Sequence, residues 1–321
     1  MTFLSSVISF LSIQLCAGWG NLGAGVTQLI VGSFLFPFFK FCFQNTEDPS
    51  EYAWRYVSIV PAVVAFITGV GMYFITDDFP KGNVHELEAH RVKPEKQALS
   101  ACQSATFNLN TWLLAIQYAA CFGVELTMNS AASLYFKDQF GVSTETAAAM
   151  ASIFGWMNLF ARGVGGFLSD RAALSWGMRG RLYTQFILLA GEGALVLIFG
   201  NTHSLAGAIM TLVCFSLFVQ AAEGSTYGVV PYVDQHFTGS VTGIVGAGGN
   251  VGAVVFSIMF REMNYVDAFT YMGIAVMCSS LLTGVIFIRG ESAMFGNIKT
   301  VFSKAEDDYE EEVKGLKDAK E

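Results

Sequence analysis

Gly20-Asn21-Leu22-Gly23-Ala24 and Gly249-Asn250-Val251-Gly252-Ala253 share one pattern, Gly-Asn-apolar-Gly-Ala. Each copy sits in a longer stripe. Gly18, Asn21, Gly25, Gln28 and Gly32 recur at spacings of 3, 4, 3 and 4, which an α-helix collects on one face. Gly243, Gly246, Asn250, Ala253 and Ser257 repeat those spacings. Small residues at such spacing let two helices approach closely. An asparagine among them has no partner in lipid, so each stripe is expected to face another helix or a cavity.

The rest of the chain supplies the membrane. Of 321 residues 53% are hydrophobic and only 14% charged, whereas soluble domains carry about 25% charged residues. That composition excludes a disordered chain, a collagen-like chain and an ordinary cytosolic enzyme. The net charge of −8 argues against nucleic acid as a partner. Half of that charge lies in the polar stretch 302–321, where eight acidic residues face four lysines. The six cysteines show no CxxC spacing, and most lie in apolar runs as small hydrophobes. Eight apolar runs are long enough to be spans: 12–39, 57–76, 111–135, 146–168, 184–200, 205–230, 241–260 and 268–288. Trp54, Trp112 and Trp176 fall near span ends, where interfacial aromatics collect.

Lysine and arginine set the expected orientation. Thirteen of them lie in the 77–110 loop, the 169–183 loop and the C-terminal stretch, against Lys40, Arg55, Lys137 and Arg261 on the other side. The expectation is a multi-pass protein with the 77–110 loop and the C-terminus in the cytoplasm. That loop divides two spans from six. The two asparagine stripes are six spans apart, and a six-span repeat with a cytoplasmic loop between units is the layout of major facilitator transporters. The fold class expected is therefore an all-α polytopic membrane protein of twelve-span type, with about eight spans, numbers 5–12, present. Residues 1–76 would belong to the N-terminal half, 77–110 to the inter-half loop, 111–290 to the C-terminal half and 291–321 to an acidic tail.

Four segments in order carry a family resemblance over about residues 17–290. Ala17-Gly18-Trp19-Gly20-Asn21-Leu22-Gly23-Ala24-Gly25-Val26-Thr27-Gln28-Leu29 resembles the first nitrate motif of the nitrate/nitrite porter family. Gly246-Ala247-Gly248-Gly249-Asn250-Val251-Gly252-Ala253 resembles the second. Cys121-Phe122-Gly123-Val124-Glu125-Leu126-Thr127-Met128-Asn129 resembles the family's seventh span, and Asn158 through Arg171 its eighth span and following loop. The resemblance implies uptake of nitrate, with nitrite as a second anion, through a midplane site between two six-helix halves. It also implies proton coupling, alternating access and a plasma-membrane location. It implies that four N-terminal spans are missing, so the chain alone is not expected to transport.

Arg162 is the one basic residue placed within a span, where a charge costs about 2.5–3.5 kcal/mol on insertion scales. A guanidinium offers a planar fork of donors suited to a planar trigonal anion. By resemblance Arg162 matches the family's eighth-span anion ligand. Its alternative is a structural ion pair with Glu125, Glu192 or Glu223. The resemblance makes Tyr118, Asn21 and Asn250 further substrate-binding candidates. Gly20, Gly23, Gly25, Gly246, Gly249 and Gly252 are read as gating and packing glycines. Glu125, Glu192 and Glu223 are carboxyls at membrane depth that can carry a coupling proton, with Glu125 ranked first. Asp170 and Arg171 resemble a cytoplasmic gate. The four histidines show no metal-ligand spacing and no phosphate-cradling loop appears, so no metal, no cofactor and no enzyme activity are expected. Partners expected are nitrate or nitrite, protons and membrane lipid, with an accessory subunit as a further candidate. Two other readings compete: a major facilitator for another small anion, and a non-transporting sensor or partner subunit.

Overall fold

The computed structural model describes residues 2–76, 98–235, 237–288 and 291–295, and among them every regular element is a helix. The 77–97 part of the inter-half loop and residues 296–321 of the tail lie outside the described residues. The first helix runs as α1 (Thr2–Thr27), a π-helical turn (Gln28–Leu35) and α2 (Phe36–Cys42). α3 (Pro49–Val57) starts at Asp48, whose carboxylate accepts from the backbone N–H groups of Ser50 and Glu51 at 3.0 and 3.1 Å. α4 (Ile59–Ile75) continues it, and α5 (Ala98–Phe107) leads into α6 (Leu109–Phe140). Then follow α7 (Thr144–Trp156), α8 (Ala161–Trp176), α9 (Met178–Gly200), α10 (Leu205–Tyr227), the short α11 (Val230–Val233), α12 (Thr238–Glu262) and α13 (Tyr265–Leu281).

Among the described residues, seven helical stretches are long and apolar enough to cross a membrane, beginning with Gln14–Cys42 and Pro49–Ile75. The expected span over 146–168 is instead a broken helix. A 3₁₀ turn, Met157–Leu159, separates α7, 13 residues, from α8, 16 residues. Phe160, at φ −138° and ψ −26°, leaves the helical path there. The residues on both sides of the break are mostly apolar, so mean hydropathy does not reveal it. A second correction concerns 169–183, read as a loop. Ser169, Asp170 and Arg171 are helical, and the reversal is made at Gly177 alone, whose φ of +57° suits a residue without Cβ.

α12 lies along α6, α13 along α9, and α10 packs on both α8 and α9. The core between them is aromatic: Phe199 meets Phe269 edge-on at 5.0 Å and Phe215 at 5.8 Å, and Tyr135 lies 5.1 Å from Phe199. None of the residues of α4 is buried, as expected of an apolar helix that meets the described chain mainly at its junction with α3.

The first small-residue stripe docks as expected. It lays α1 and the π-helical turn against α7 and α8. A Cβ on Gly25 would stand 2.7 Å from the Gly155 carbonyl carbon, so two backbones touch there. The second stripe is displaced. Gly243 and Asn250 are exposed, while α12 buries Val241, Val245, Gly249, Gly252 and Phe256. Gly248 and Gly252 meet the Ala115 and Ala119 backbone of α6, and a Cβ on Gly123 would stand 2.7 Å from Gly252. Two interleaved small-residue faces run through this glycine-rich helix, and α6 matches the other one. A Cβ on Gly20 or Gly23 would meet nothing within 4 Å, so neither forms a close crossing among the described residues. Gly25→Val is therefore expected to destabilise the protein by about 1–3 kcal/mol, read as a lower detergent-denaturation midpoint. Gly23→Ala is expected to leave that midpoint in place.

Candidate functional site

Arg162 lies in the first turn of α8, directly after the helix break. Its side chain is buried, 4% exposed, against carboxylates from two other helices. Nη2 pairs with Glu125 Oε2 of α6 at 3.3 Å and with Glu223 of α10. Glu125 is held further by amides: Asn158 Nδ2 donates to Oε1 at 2.8 Å, and Asn21 Nδ2 donates to Oε2 at 3.4 Å. The Phe122 ring lies under the guanidinium at 5.8 Å, Tyr118 stacks on Phe122 at 5.1 Å, and Tyr227 meets Tyr118 edge-on at 5.1 Å. Five elements thus converge: α1, α6, the 3₁₀ turn, α8 and α10.

Each candidate has a definite place. Arg162, Glu125, Glu223 and Asn21 come together, and Tyr118 joins through its ring. Gly249 packs against Tyr118 and Phe122, and a Cβ on Gly246 would stand 3.6 Å from the Tyr227 hydroxyl. Asn250 stands apart: its exposed amide donates to its own helix, to the Gly246 carbonyl at 3.2 Å. Glu192 on α9 is fully buried, lies within electrostatic reach of Glu125, and neither of its oxygens has a hydrogen-bond partner among the described residues.

Three participants escaped the sequence reading. Asn158 was legible in one respect, being four residues before Arg162 in a quoted segment. Phe122 also stands in a quoted segment and Tyr227 in none, and neither was singled out, because an aromatic in an apolar run reads as packing. Near Gly177, Asp170 and Arg171 part company. Asp170 is buried and pairs with Arg181 Nη1 at 2.7 Å, while Arg181 also reaches Ser169 and the Tyr232 ring. Arg171 is exposed and belongs to no such pair. Arg179 ties down the described 291–295 segment, donating from Nε to the Ala293 carbonyl at 3.3 Å.

The cluster holds one fixed cation among three buried carboxyls. Nη2 is engaged by two of them, while Nε is buried without a hydrogen-bond partner among the described residues and is left to meet an anion. Adding negative charge there without adding protons is strongly unfavourable at low dielectric. The arrangement is thus suited to binding an anion together with protons.

The chain is 34% identical to High affinity nitrate transporter 2.5 of Arabidopsis thaliana over 284 residues, 88% of this chain and 56% of that one. It is 33% identical to Nitrate transporter 2.2 of Chlamydomonas reinhardtii, covering 85% of this chain and 54% of the relative. It is 35% identical to the Nitrate/nitrite transporter NrtP of Picosynechococcus sp. over 52% of this chain and 31% of that one. The chain spans about half the length of the two eukaryotic relatives. Among solved structures it resembles a bacterial homologue of the human lysosomal transporter Spinster, in an inward-facing, unoccupied conformation. The TM-score is 0.55 at 16% identity, over 83% of this chain and 66% of that one, and this likeness concerns the fold alone. Residues 4–257 match the Major Facilitator Superfamily, and the chain belongs to that family.

Proposed function

We propose that this chain serves secondary active transport of nitrate, with nitrite as a second substrate, by proton-coupled alternating access. The observation that carries the reading is Arg162, a buried guanidinium flanked by displaceable carboxylates in a chain similar to named nitrate transporters. Nitrate is a planar monoanion. Two of its oxygens match two donors of a guanidinium, and it takes the place of one carboxylate. The negative charge that nitrate adds to the cluster is offset by a proton, which makes anion and proton entry one event. Asn21 and Asn158 hold Glu125 in place, Tyr118 and Phe122 wall the site, and Asn250 with the glycines of α12 serves the moving helix face.

Of the three carboxyls, Glu192 is the proton carrier in this scheme. Arg162 and two amides support the ionised form of Glu125, and Arg162 supports Glu223, whereas no described residue donates to Glu192. Residues 1–76 belong with the N-terminal half and 111–290 form the C-terminal half. The 77–110 loop and the 291–321 tail face the cytoplasm from a plasma membrane, in keeping with the Lys/Arg bias. Lipid surrounds the exposed apolar helices, and an accessory subunit is a further partner.

The test is uptake of labelled nitrate by proteoliposomes holding the protein expressed from its native transcript. The expected result is accumulation driven by an inward proton gradient and abolished by a protonophore. Uptake of another small anion without nitrate would overturn the substrate assignment.

A further inference from the structure

Three arginines cluster around the reversal at Gly177, and two have work there. Arg181 pairs with Asp170, and Arg179 is bonded to the Ser292–Ala293 backbone and hydroxyl. Arg171 makes no ion pair or hydrogen bond among the described residues and is exposed. It lines a groove of about 440 Å³ between α8 and α9, with Leu168, Ser175, Trp176, Thr184 and Ile187. Leu168, Trp176 and Ile187 are 43%, 60% and 59% exposed, so the groove is apolar and open to its surroundings.

Depth decides what fills it. Arg171 is nine residues beyond Arg162 on one helix, about 13.5 Å along its axis. With Arg162 near the midplane, Arg171 sits close to the edge of a hydrocarbon core about 15 Å deep per leaflet. Trp176, a turn and a half further, lies at headgroup level, where indoles collect. The groove therefore offers a cation unpaired among the described residues and the Ser175 hydroxyl at headgroup depth, above an apolar wall. Water suits the cation but not the wall, and a hydrocarbon chain suits the wall but not the cation. One molecule with a phosphate at one end and an acyl chain at the other satisfies both.

We propose that the groove between the Gly177 ends of α8 and α9 is a binding site for an anionic phospholipid. The phosphate lies on Arg171, Ser175 offers a hydroxyl to the headgroup, and an acyl chain runs along Leu168 and Ile187 toward the midplane. A headgroup with net negative charge is selected over a zwitterionic one because no acidic residue among the described residues lines the groove to receive a choline. The site is separate from the Arg162 cluster, and the proposal requires only that these helices span a bilayer.

The test uses the protein expressed from its native transcript, exchanged into dioleoylphosphatidylglycerol or dioleoylphosphatidylcholine and examined by native mass spectrometry. Wild type is expected to retain phosphatidylglycerol over phosphatidylcholine. Arg171→Gln is expected to lower that retention about fivefold, and Arg171→Lys to keep most of it, since a phosphate accepts a point charge. Arg171 is exposed and unpaired, so the glutamine variant should elute as a folded species. Excess inorganic phosphate should not displace the lipid. Brominated phosphatidylglycerol should quench tryptophan emission less in Trp176→Phe than in wild type. Equal retention by wild type and Arg171→Gln, equal retention of both lipids, displacement by phosphate, or quenching indifferent to Trp176 would each overturn the assignment.

Discussion

Arg162→Lys is expected to abolish nitrate uptake while the protein remains folded in the membrane. The ammonium keeps the charge and can still pair with Glu223, so the buried carboxylates are not left without a cation. The loss is geometric, because lysine cannot present two parallel donors to two oxygens of a planar anion. Losing a charge-assisted hydrogen bond costs about 1.5–3 kcal/mol, or about tenfold to more than a hundredfold in affinity. Nitrate accepts hydrogen bonds weakly, so little else in the cluster compensates. Arg162→Gln is expected to do more harm, since two carboxylates then lie buried without a cation, at about 3–5 kcal/mol of stability. The measurement is uptake normalised to membrane abundance for the three proteins. If Arg162 only braces Glu125 and Glu223, the lysine protein should transport at a near-normal rate, and the anion-ligand role is then lost.

Glu192→Gln is expected to uncouple transport from the proton gradient. Glutamine has the shape of a neutral carboxyl, so packing around position 192 is preserved while titration is removed. The ratio of gradient-driven to gradient-free nitrate uptake should fall at least about tenfold, toward one, since a single fixed charge state removes one protonation equilibrium from the cycle. The sign follows from the scheme. Wild-type uptake rises as external pH falls, because the external side then supplies the proton, and the variant loses that rise. Glu125→Gln serves as the comparison. It removes a carboxylate that competes with nitrate for Arg162, so it should tighten nitrate binding and keep the pH dependence of uptake. A gradient ratio unchanged in Glu192→Gln and collapsed in Glu125→Gln would move the proton to Glu125, the residue ranked first on sequence.

What was legible in the chain followed from periodicity on single helices. The stripe of Gly18, Asn21, Gly25, Gln28 and Gly32 states a docking face without reference to any neighbour, and that face is the one docked on α7 and α8. The second stripe failed for a physical reason. α12 offers small residues on two adjacent faces, and only the matching row of Ala115, Ala119 and Gly123 on α6 chooses between them. The helix break at 157–160 left no trace in hydropathy, because both pieces are apolar. Among the site residues, Arg162 was identifiable by its isolation in a span. Which of three glutamates it meets depends on how α6, α9 and α10 surround α8, and no local pattern encodes that. The reading of Asp170 and Arg171 as one unit came from their adjacency, yet neighbours on a helix point about 100° apart. One faces Arg181 and the other the outside.

The three-part pairing of Arg162 also bears on how the protein is made. The chain is threaded into the membrane from its N-terminus, so Glu125 is in place before Arg162 arrives 37 residues later. An arginine entering lipid alone is disfavoured, but this one enters beside a carboxylate already waiting. Glu223 follows 61 residues after Arg162, which at 5–20 residues per second is a delay of roughly 3–12 s. During that interval Glu125 is the ion-pair partner of Arg162, and α9 is added beside α8. When α10 arrives, its own carboxylate gains a cation that is already buried. Only α6 thus meets the bilayer ahead of its counter-charge, and the order of synthesis lowers the barrier to placing the two later charges.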